Sequence, residues 1–570
     1  MKNIYTEKPW IKFYDKHVSP NLEYTKKTFA ELFSDAVRNA PQRTALFFMG
    51  ARISFKEIDI LSNKFAHFLK KQGLKPGDTI GVCLPNIPAF YIAVVGIQKA
   101  GCVLNGLSPL QSPKELEYQL NDAEVKALLT MDILYKNVEP IIAKTGVKTI
   151  LVTEIADFLP SFKMIIGKLI KKIPTAIVNP VPGIDTIRFM DMIRNMPGDT
   201  VLEKRDLDTP MLIQYTGGTT GNPKGAILTQ WNLVAEMTQV GTWMGLKDFS
   251  EIKPGEDVIL SAFPLFHIAG LAISLLMLSR GYSQVLIPNP RDQYFIISAL
   301  KKYKPILTVN VPTIYMELLK KEKFRAIDFS NLKFCFSGGA PYPPEYINDF
   351  ENVVGKGKLV EGLGMTETSP LTVINPTFGK KKPGSIGVPI SDTEIKLVDL
   401  DKGEVVGVGE PGELLVRGPQ VFTKGYFNKP EETAETLKDG WIHTGDVCTI
   451  DEDGYLFVVD RVKDMVNVSG FKVFTRQLDD VLIEYPDIEM AATIGLPDPS
   501  RPGSEIVASA ILLKAGVEKS EKTKENIINY LRERVTPYKI PKRIDFIDAL
   551  PLSPVGKILK KELRKTMAKK

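Results

Sequence analysis

Residues 215–225 read Tyr-Thr-Gly-Gly-Thr-Thr-Gly-Asn-Pro-Lys-Gly, and this stretch says most about the fold of the chain. One apolar run ends just before it at 211–213, and another begins just after it at 226–228. This order predicts two strands joined by a glycine-rich loop, whose backbone N–H groups, hydroxyls and lysine can bind phosphate. Two residues separate Gly221 from Lys224 and no Ser or Thr follows the lysine, so the loop differs from a Walker loop. A flexible surface hairpin is the alternative interpretation of the glycines taken alone.

The segment 54–84 shows the unit that repeats through the first 310 residues. Ser54 and Glu57 form a capping-box signature, apolar residues then recur at helical spacing, and Gly73 ends the predicted helix. A buried strand follows. Helix followed by strand recurs, for example over 291–310, which predicts an α/β fold with mostly parallel sheets flanked by helices.

The pattern changes after Gly384, where strands become short and turns frequent. Strands are predicted at 394–398, 413–417 and 455–459. Short strands separated by turns favour a small antiparallel, barrel-like subdomain over about 384–460.

A separate small domain is predicted at the end of the chain. Residues 461–570 contain 21 Lys/Arg against 15 Asp/Glu, whereas residues 1–460 contain 52 of each. We expect a large N-terminal domain over 1–460 with two mostly parallel sheets, a hinge at 461–463, and a mobile α+β domain over 464–570. The strands predicted in this small domain are 491–495, 507–513 and 543–547, and its helices are 477–485 and 521–535. A basic domain beside a neutral one suits an anionic ligand held between them.

Composition excludes several classes of protein. The chain has 570 residues, of which 44% are hydrophobic and 25% are charged, as is ordinary for a globular protein with more than one core. Its cysteines and histidines show no metal-ligand or disulfide spacing, which fits a reducing, cytoplasmic location: Cys83, Cys102, Cys335, Cys448, His17, His67, His267 and His443. The N-terminus lacks a signal-peptide pattern, and no nucleic-acid partner is expected. Residues 258–279 carry no charge, and we interpret them as a buried strand, a turn and a core helix; a transmembrane span is the alternative.

The order Thr-Gly-Gly-Thr-Thr-Gly-x-Pro-Lys-Gly at 216–225 resembles the phosphate loop of the acyl-adenylate-forming enzymes. That superfamily contains acyl-CoA synthetases, luciferases and peptide-synthetase adenylation domains. Six further segments match it in the expected order, so the resemblance covers nearly the whole chain. It implies an enzyme that uses ATP and Mg²⁺ to form an acyl-AMP with release of pyrophosphate, then transfers the acyl group to CoA. In the loop, it implies ATP contacts from Thr216, Gly217, Gly218, Thr219, Thr220 and Lys224, with Thr219 also catalytic.

Two of these segments follow apolar runs in the middle of the chain. Pro264-Leu265-Phe266-His267 is similar to the Phe-Pro-Leu-x-His segment, which implies that His267 lies near the acyl carboxylate and the thiol entrance. A core histidine is the alternative. Ser337-Gly338-Gly339-Ala340-Pro341 follows a strand, where α/β folds bind ligands. The resemblance places Gly338, Gly339 and Ala340 along the adenine and the acyl chain.

The segment Glu361-Gly362-Leu363-Gly364-Met365-Thr366-Glu367 resembles a second nucleotide-binding segment. The resemblance implies that Glu367 holds Mg²⁺ on the phosphates, since this ion prefers carboxylate oxygens, and that Thr366 donates to the α-phosphate. It also implies nucleotide contacts from Glu361, Gly362 and Leu363. Most relatives have an aromatic residue that stacks on adenine at the position of Leu363.

The last segments lie around and beyond the predicted hinge. In 440–446, the resemblance implies that Asp446 accepts hydrogen bonds from the ribose hydroxyls, with Arg461 as its partner; a plain turn aspartate is the alternative. It also implies that Lys463 is the hinge, that Gly470 and Phe471 meet CoA, and that Lys557 bridges the acyl carboxylate and the α-phosphate. Thr475, Gln477 and Asp479 depart from commoner residues of the family without an evident effect on chemistry.

The overall pattern looks most like bacterial and archaeal long-chain fatty-acid CoA ligases. Residues 158–173 combine apolar residues with four lysines, and a basic amphipathic stretch can lie on the inner face of a membrane. A surface helix packed on the core is the alternative. Other acids (medium-chain or aryl), an acyl-AMP ligase that loads a carrier protein, and a non-catalytic lipid-binding relative also stay open. So does the oligomeric state.

Overall fold

The computed structural model describes residues 3–160, 173–216, 223–247, 251–252, 257–339, 342, 344–468, 471–501, 504–553 and 557–568. The glycine-rich loop at 217–222 and most of the lysine-rich stretch, at 161–172, lie outside these residues.

The first sheet contains both strands that flank the glycine-rich loop. Its strands, in spatial order, are Asp185–Arg188, Thr149–Thr153, Ala127–Met131, Thr79–Cys83, Val103–Gly106, Pro210–Thr216 and Lys224–Thr229. Neighbours are parallel except for the last pair, which is antiparallel and sets Thr216 opposite Lys224. The two predicted strands are therefore confirmed, while the loop between them lies outside the described residues.

The second sheet supplies the strand ends that carry the other predicted segments. Its strands, in spatial order, are Val388–Pro389, Leu371–Ile374, Leu359–Gly364, Phe334–Ser337, Leu307–Asn310, Val258–Ser261, Ser283–Leu286, Thr44–Phe48 and Ala51–Ser54. Pairing is parallel from Leu359–Gly364 to Thr44–Phe48 and antiparallel at both edges.

Helices cover these two sheets. Among the described residues up to 460, the helices are Ile4–Glu7, Phe29–Asn39, Phe55–Lys71, Pro88–Lys99, Pro113–Asp122, Tyr135–Val138, Phe189–Asn195, Gln230–Trp243, Ile268–Arg280, Gln293–Tyr303, Pro312–Leu319, Glu322–Arg325, Pro344–Val354 and Pro430–Thr436. The predicted capping box is present: the Glu57 backbone donates to the Ser54 hydroxyl, and the Ser54 backbone donates to the Glu57 carboxylate at 2.7 Å. Short 3₁₀ turns lie at Pro9–Phe13, Asp132–Leu134, Ile142–Lys144, Ile155–Phe158, Thr366–Thr368 and Pro537–Lys539.

The uncharged stretch 258–279 forms a strand of the second sheet, a turn and the helix Ile268–Arg280. The helix is buried along nearly its whole length, because it packs between other elements of the core. Across the described ranges, no helix combines the length and the apolar character that crossing a membrane requires.

The third sheet is antiparallel, as the short strands after Gly384 predict. Its strands are Glu394–Val398, Gly412–Arg417, Trp441–Ile450, Leu437–Lys438 and Leu456–Arg461. The long strand Trp441–Ile450 pairs with Leu456–Arg461 so that Asp446 stands opposite Arg461.

The C-terminal part has its own sheets and its own apolar clusters. A hairpin joins Val466–Val468 to Phe471–Val473, and a mixed sheet contains Ile488–Pro497, Glu505–Leu513 and Arg543–Phe546. The helices are Thr475–Ile483, Glu521–Arg532 and Lys560–Ala568. The α/β class, the large N-terminal domain, the antiparallel sheet and the small α+β domain are thus confirmed. The residue limits predicted for the domains stay predictions. All four cysteines are free and buried.

Candidate active site

Most of the predicted site residues that the structure describes gather where strands of the second sheet end, beside the two antiparallel strands of the first sheet. The carboxyl ends of Phe334–Ser337 and Leu359–Gly364 lie side by side. Such ends are the usual ligand position in α/β folds. The third sheet and Lys557 approach the same place, as the contacts below show.

Glu367 is a buried carboxylate held by a tyrosine. Its side chain is 5% exposed, and the Tyr426 hydroxyl donates to Glu367 Oε1 at 2.5 Å. The Lys224 ammonium lies 5.2 Å from the centre of the Tyr426 ring. Burial raises the pKa of Glu367 above its usual range, although the tyrosine and the nearby cations act in the opposite direction. Lys224, Tyr426 and Glu367 therefore form one connected group.

Asp446 and Arg461 form an ion pair across two strands. The Arg461 Nε donates to Asp446 Oδ1 at 2.8 Å, and this carboxylate raises the pKa of Arg461. The strand before Asp446 is held by Glu413, which accepts from the Gly445 backbone at 3.1 Å and lies 2.9 Å from His443 Nδ1. A carboxylate held by a fixed cation can still accept hydrogen bonds from ligand hydroxyls with its second oxygen.

Lys557 comes from the C-terminal part, and its charge interacts with these residues. Much of the residue is open to solvent, but its ammonium is packed among protein atoms. Burial and the charge of Arg461 lower its pKa, while Asp446 and Glu367 favour the charged form. The structure therefore brings Lys557, Glu367, Asp446 and Arg461 within electrostatic range of one another.

His267 lies near the same cation. Its Nδ1 accepts from the Ala269 backbone at 3.3 Å and caps the helix Ile268–Arg280. Burial and the charge of Lys557 lower the pKa of His267 to about 4. The imidazole is therefore neutral at physiological pH and can accept or donate a hydrogen bond.

The glycine turn after Ser337 allows close approach to the backbone. Gly339 has φ +84°, a left-handed conformation that favours glycine. A Cβ at Gly338 would come within 2.9 Å of the Phe336 ring. Glu361 lies beside this turn and accepts from the Tyr342 backbone at 3.3 Å. Burial raises the pKa of Glu361 to about 7.

The strand Leu359–Gly364 has little space for side chains at its glycines. A Cβ at Gly362 would come within 2.9 Å of the Val373 carbonyl oxygen, and one at Gly364 within 1.9 Å of the Pro370 carbonyl oxygen. Leu363 is half-buried against the main apolar core. Thr366 is buried in the 3₁₀ turn that carries Glu367.

Lys463 lies beside this cluster, whereas Phe471 packs on another residue of the C-terminal part. Packing around the Lys463 ammonium, with the charges of Arg461 and Lys557, lowers its pKa to about 8. Phe471 is 60% exposed and its ring stacks on Tyr538 with centroids 5.0 Å apart. The predicted residues Gly217, Gly218, Thr219, Thr220, Ala340 and Gly470 lie outside the described residues.

Two residues of this region belong to no sequence motif and were not predicted as site residues. Tyr426 bridges Lys224 and Glu367 from a loop 59 residues beyond the latter in sequence; no local pattern announces such a contact. Glu236 lies in the helix Gln230–Trp243 and is fully buried. The sequence does offer a clue to this residue, because an acidic side chain stands among the apolar positions Leu233, Val234 and Met237.

Magnesium fits the available ligands. No group of three or more His, Cys, Asp or Glu side chains suited to a metal ion occurs in the part of the chain that the structure describes. Mg²⁺ in phosphoryl-transfer sites typically uses one or two carboxylates and completes its shell with substrate phosphates and water. Glu367 offers such a carboxylate beside Lys224 and the end of the glycine-rich hairpin.

Comparison with known families matches both parts of the chain. A family described as AMP-binding enzyme matches residues 33–427. The chain belongs to this family. The AMP-binding enzyme C-terminal domain matches residues 477–557, so the segment that ends at Lys557 belongs to the same kind of enzyme.

Relatives of this AMP-binding enzyme are similar over nearly their whole length. A long-chain-fatty-acid–CoA ligase of Bacillus subtilis (strain 168) is 36% identical over 562 residues, which cover 98% of each chain. A feruloyl-CoA synthase of Amycolatopsis sp is 32% identical over 531 residues, covering 93% of this chain and 96% of the other. The crystal structure of an anthranilate CoA ligase with anthranoyl-AMP has a TM-score of 0.82 at 26% identity, covering 96% and 98% of the two chains.

Proposed function

We propose that this AMP-binding enzyme is a long-chain fatty-acid–CoA ligase. It converts a fatty acid and ATP to acyl-AMP and pyrophosphate, then transfers the acyl group to CoA with release of AMP. The single observation that carries the proposal is the convergence of Lys557 on Glu367, Asp446, Arg461 and His267. The similarity to long-chain-fatty-acid–CoA ligases over 98% of the chain supports the substrate class.

The first step needs charge neutralisation more than proton transfer. The acyl carboxylate attacks the α-phosphorus of ATP, a C(O)O–P bond forms, and the bond to the pyrophosphate leaving group breaks. We assign Lys557 to the acyl carboxylate and α-phosphate, and Lys224 with Thr216 and the glycine-rich loop to the departing phosphates. Asp446, paired with Arg461, receives the ribose hydroxyls. Mg²⁺ held by Glu367 would neutralise phosphate charge, the chemistry that a divalent cation supplies in such reactions.

The second step is acyl transfer to sulfur. The CoA thiolate attacks the acyl carbonyl carbon, a C–S bond forms, and AMP leaves with the electron pair of the broken C–O bond. His267 is neutral and close to Lys557, so it can orient the carboxyl end of the acyl group by a hydrogen bond. Phe471, exposed at the hairpin beside Gly470, is the proposed contact for CoA.

An aryl acid is the second candidate substrate, favoured by the similarity to a feruloyl-CoA synthase. ATP–pyrophosphate exchange measured with acids from acetate to oleate, and with ferulate and benzoate, decides between the two. The proposal expects the highest kcat/KM with a long-chain fatty acid such as oleate. Preference for an aryl acid would contradict it. Thioester formation measured with CoA and, separately, with a phosphopantetheine carrier protein shows which thiol accepts the acyl group.

Membrane contact through residues 158–173 is a further part of the proposal, as is a cytoplasmic location. The described end of the stretch, Phe158, packs against Phe189 with ring centroids 6.1 Å apart; residues 161–172 lie outside the described part. Replacing Ile166 and Ile170 by Ser should reduce binding to anionic liposomes, and added salt should weaken the attraction of wild type. Unchanged liposome binding in the double variant would contradict membrane contact.

A further inference from the structure

An apolar cavity with one acidic wall lies next to the candidate site. Its volume is about 50 Å³, which is room for a few water-sized groups such as a methylene or a hydroxyl. In the described part of the chain it is lined by Glu236 and otherwise by apolar side chains, among them Val240, Ala269, Leu276, Phe336 and Leu371.

The cavity begins where the acyl carboxylate is proposed to lie. Ala269 stands two residues after His267, and Phe336 stands two residues before Gly338. From Ala269 to Leu276 the helix Ile268–Arg280 extends the wall by roughly 10 Å, at 1.5 Å of rise per residue. An acyl chain whose carboxyl end meets His267 would therefore pass into this cavity.

Only one of the two side-chain oxygens of Glu236 has a hydrogen-bond partner among the described residues. Its side chain is 1% exposed, and Oε1 accepts from the Leu371 backbone at 2.8 Å. Among the described residues Oε2 has no hydrogen-bond partner. Burial raises the pKa of Glu236 well above its usual range and so favours the protonated acid, which has one O–H donor and remaining acceptor capacity.

We propose that Glu236 selects acyl groups that carry a hydroxyl group partway along the chain, by hydrogen bonding to that hydroxyl in the cavity. The inference rests on the proposed function, because it takes the cavity to hold the acyl chain. A buried polar group without a partner disfavours a wholly apolar ligand, whereas a site that pairs with a substrate hydroxyl discriminates strongly for it. A hydroxyl fits better than an ammonium group, which would require an ionised carboxylate in apolar surroundings.

Two substitutions of Glu236 distinguish recognition of the substrate hydroxyl from the hydrogen bond that supports the Leu371 backbone. Glu236→Gln keeps an acceptor for the Leu371 N–H and places an amide donor at the second position. Glu236→Met removes both. Val240→Ala, on the same helix and the same cavity wall, changes the volume without changing a polar group and serves as the matched control.

The test measures kcat/KM of ATP–pyrophosphate exchange for hexadecanoic acid and for its monohydroxy derivatives, with the hydroxyl at successive positions. Wild type should favour at least one hydroxy acid over hexadecanoic acid by about tenfold. Glu236→Met should abolish or invert this ratio, while Glu236→Gln and Val240→Ala retain it. The proposal is overturned if no hydroxy acid is favoured, or if Glu236→Met lowers all acids equally together with Tm, since the residue then only supports Leu371.

Failure of the proposed function gives a different result. In that case no fatty acid, hydroxylated or not, supports exchange by wild type. Calorimetric Kd values for the same acids then decide about Glu236 directly: tighter binding of a hydroxy acid that Glu236→Met removes supports recognition, and equal Kd values refute it.

Discussion

Lys557 is the residue whose position says most about catalysis. Its ammonium faces Glu367 and Asp446 from a different part of the chain, as a charge at the reacting groups must. Replacing Lys557 by Met should reduce acyl-AMP formation about a hundredfold or more, because the transition state loses a fixed cation. Thioester formation from supplied acyl-AMP should persist. Pyrophosphate exchange and thioester assays measure the two steps separately.

Lys565→Met is the matched control for this variant. Lys565 is exposed on the helix Lys560–Ala568 and pairs with Glu562 at 2.7 Å, away from the site cluster. Its replacement should leave exchange unchanged. Exchange near the wild-type rate in the Lys557 variant would show that the lysine has been given the wrong role.

His267 should make the protein less stable in mild acid. Its pKa is about 4 in the folded chain and about 6.5 when unfolded. The unfolded state therefore takes up the proton first as the pH falls. The stabilising contribution is complete above about pH 6.5 and is lost between there and pH 4, by up to about 3 kcal/mol.

His267→Asn keeps a side-chain acceptor for the helix N-terminus and removes the titrating group. The free energy of unfolding of this variant, measured by urea denaturation, should fall less than that of wild type between pH 7 and pH 4.5. NMR titration of wild type provides a direct reading, and a His267 signal that titrates near pH 6.5 would contradict the assignment.

At the scale of single elements, the strand Leu359–Gly364 and the turn after it position Glu367 through close backbone packing. Gly364→Ala should destabilise the protein by about 2 kcal/mol or more, because its Cβ would lie 1.9 Å from the Pro370 carbonyl oxygen. Exchange activity should fall with it, since Glu367 follows directly. Gly407→Ala is the control: its Cβ would meet only Glu410 Oε2, at 3.7 Å. Equal Tm values for the two variants would contradict this packing argument.

Elements with local signals could be predicted from the sequence. The capping box at Ser54, the strands around the glycine-rich loop, and the strand and helix in 258–279 each depend on spacing over a few turns. The strand order of the sheets cannot be predicted from local spacing, because the pairing between Leu307–Asn310 and Val258–Ser261 joins segments far apart in sequence. Such pairings are decided by tertiary packing.

The site residues also divide into those that a local motif predicts and those that only tertiary packing brings into place. Motifs indicated Glu367, Asp446, Arg461 and Lys557, and the structure brings these four within reach of one another; their catalytic roles stay predictions. Tyr426 and the cavity around Glu236 could not be predicted, because burial and unpaired polar atoms arise only when distant elements meet. The low pKa of His267 likewise depends on burial among distant elements and, to a smaller extent, on a lysine 290 residues later in the chain.

At the scale of the whole molecule, the proposed function requires the small C-terminal domain to serve two steps. Lys557 is now turned toward the site, whereas Phe471, on the proposed CoA segment, is exposed and stacks on Tyr538. A rotation of the C-terminal domain near Lys463 between the two steps would move Lys557 away from the site and bring Phe471 to it. Proline fixes φ, so Lys463→Pro should reduce thioester formation at least about tenfold and leave exchange within about threefold of wild type. Loss of both steps in equal measure would contradict a hinge at this residue.

The most direct test of the proposed chemistry follows both products in one reaction. Wild-type protein is incubated with hexadecanoic acid, ATP and Mg²⁺, and mass spectrometry is used to detect hexadecanoyl-AMP before, and hexadecanoyl-CoA after, the addition of CoA. We expect pyrophosphate and the acyl-AMP to form first, and the acyl-AMP to be consumed as acyl-CoA and AMP appear. Absence of acyl-AMP with every fatty acid tried, or release of ADP and phosphate in place of AMP and pyrophosphate, would contradict the proposed function.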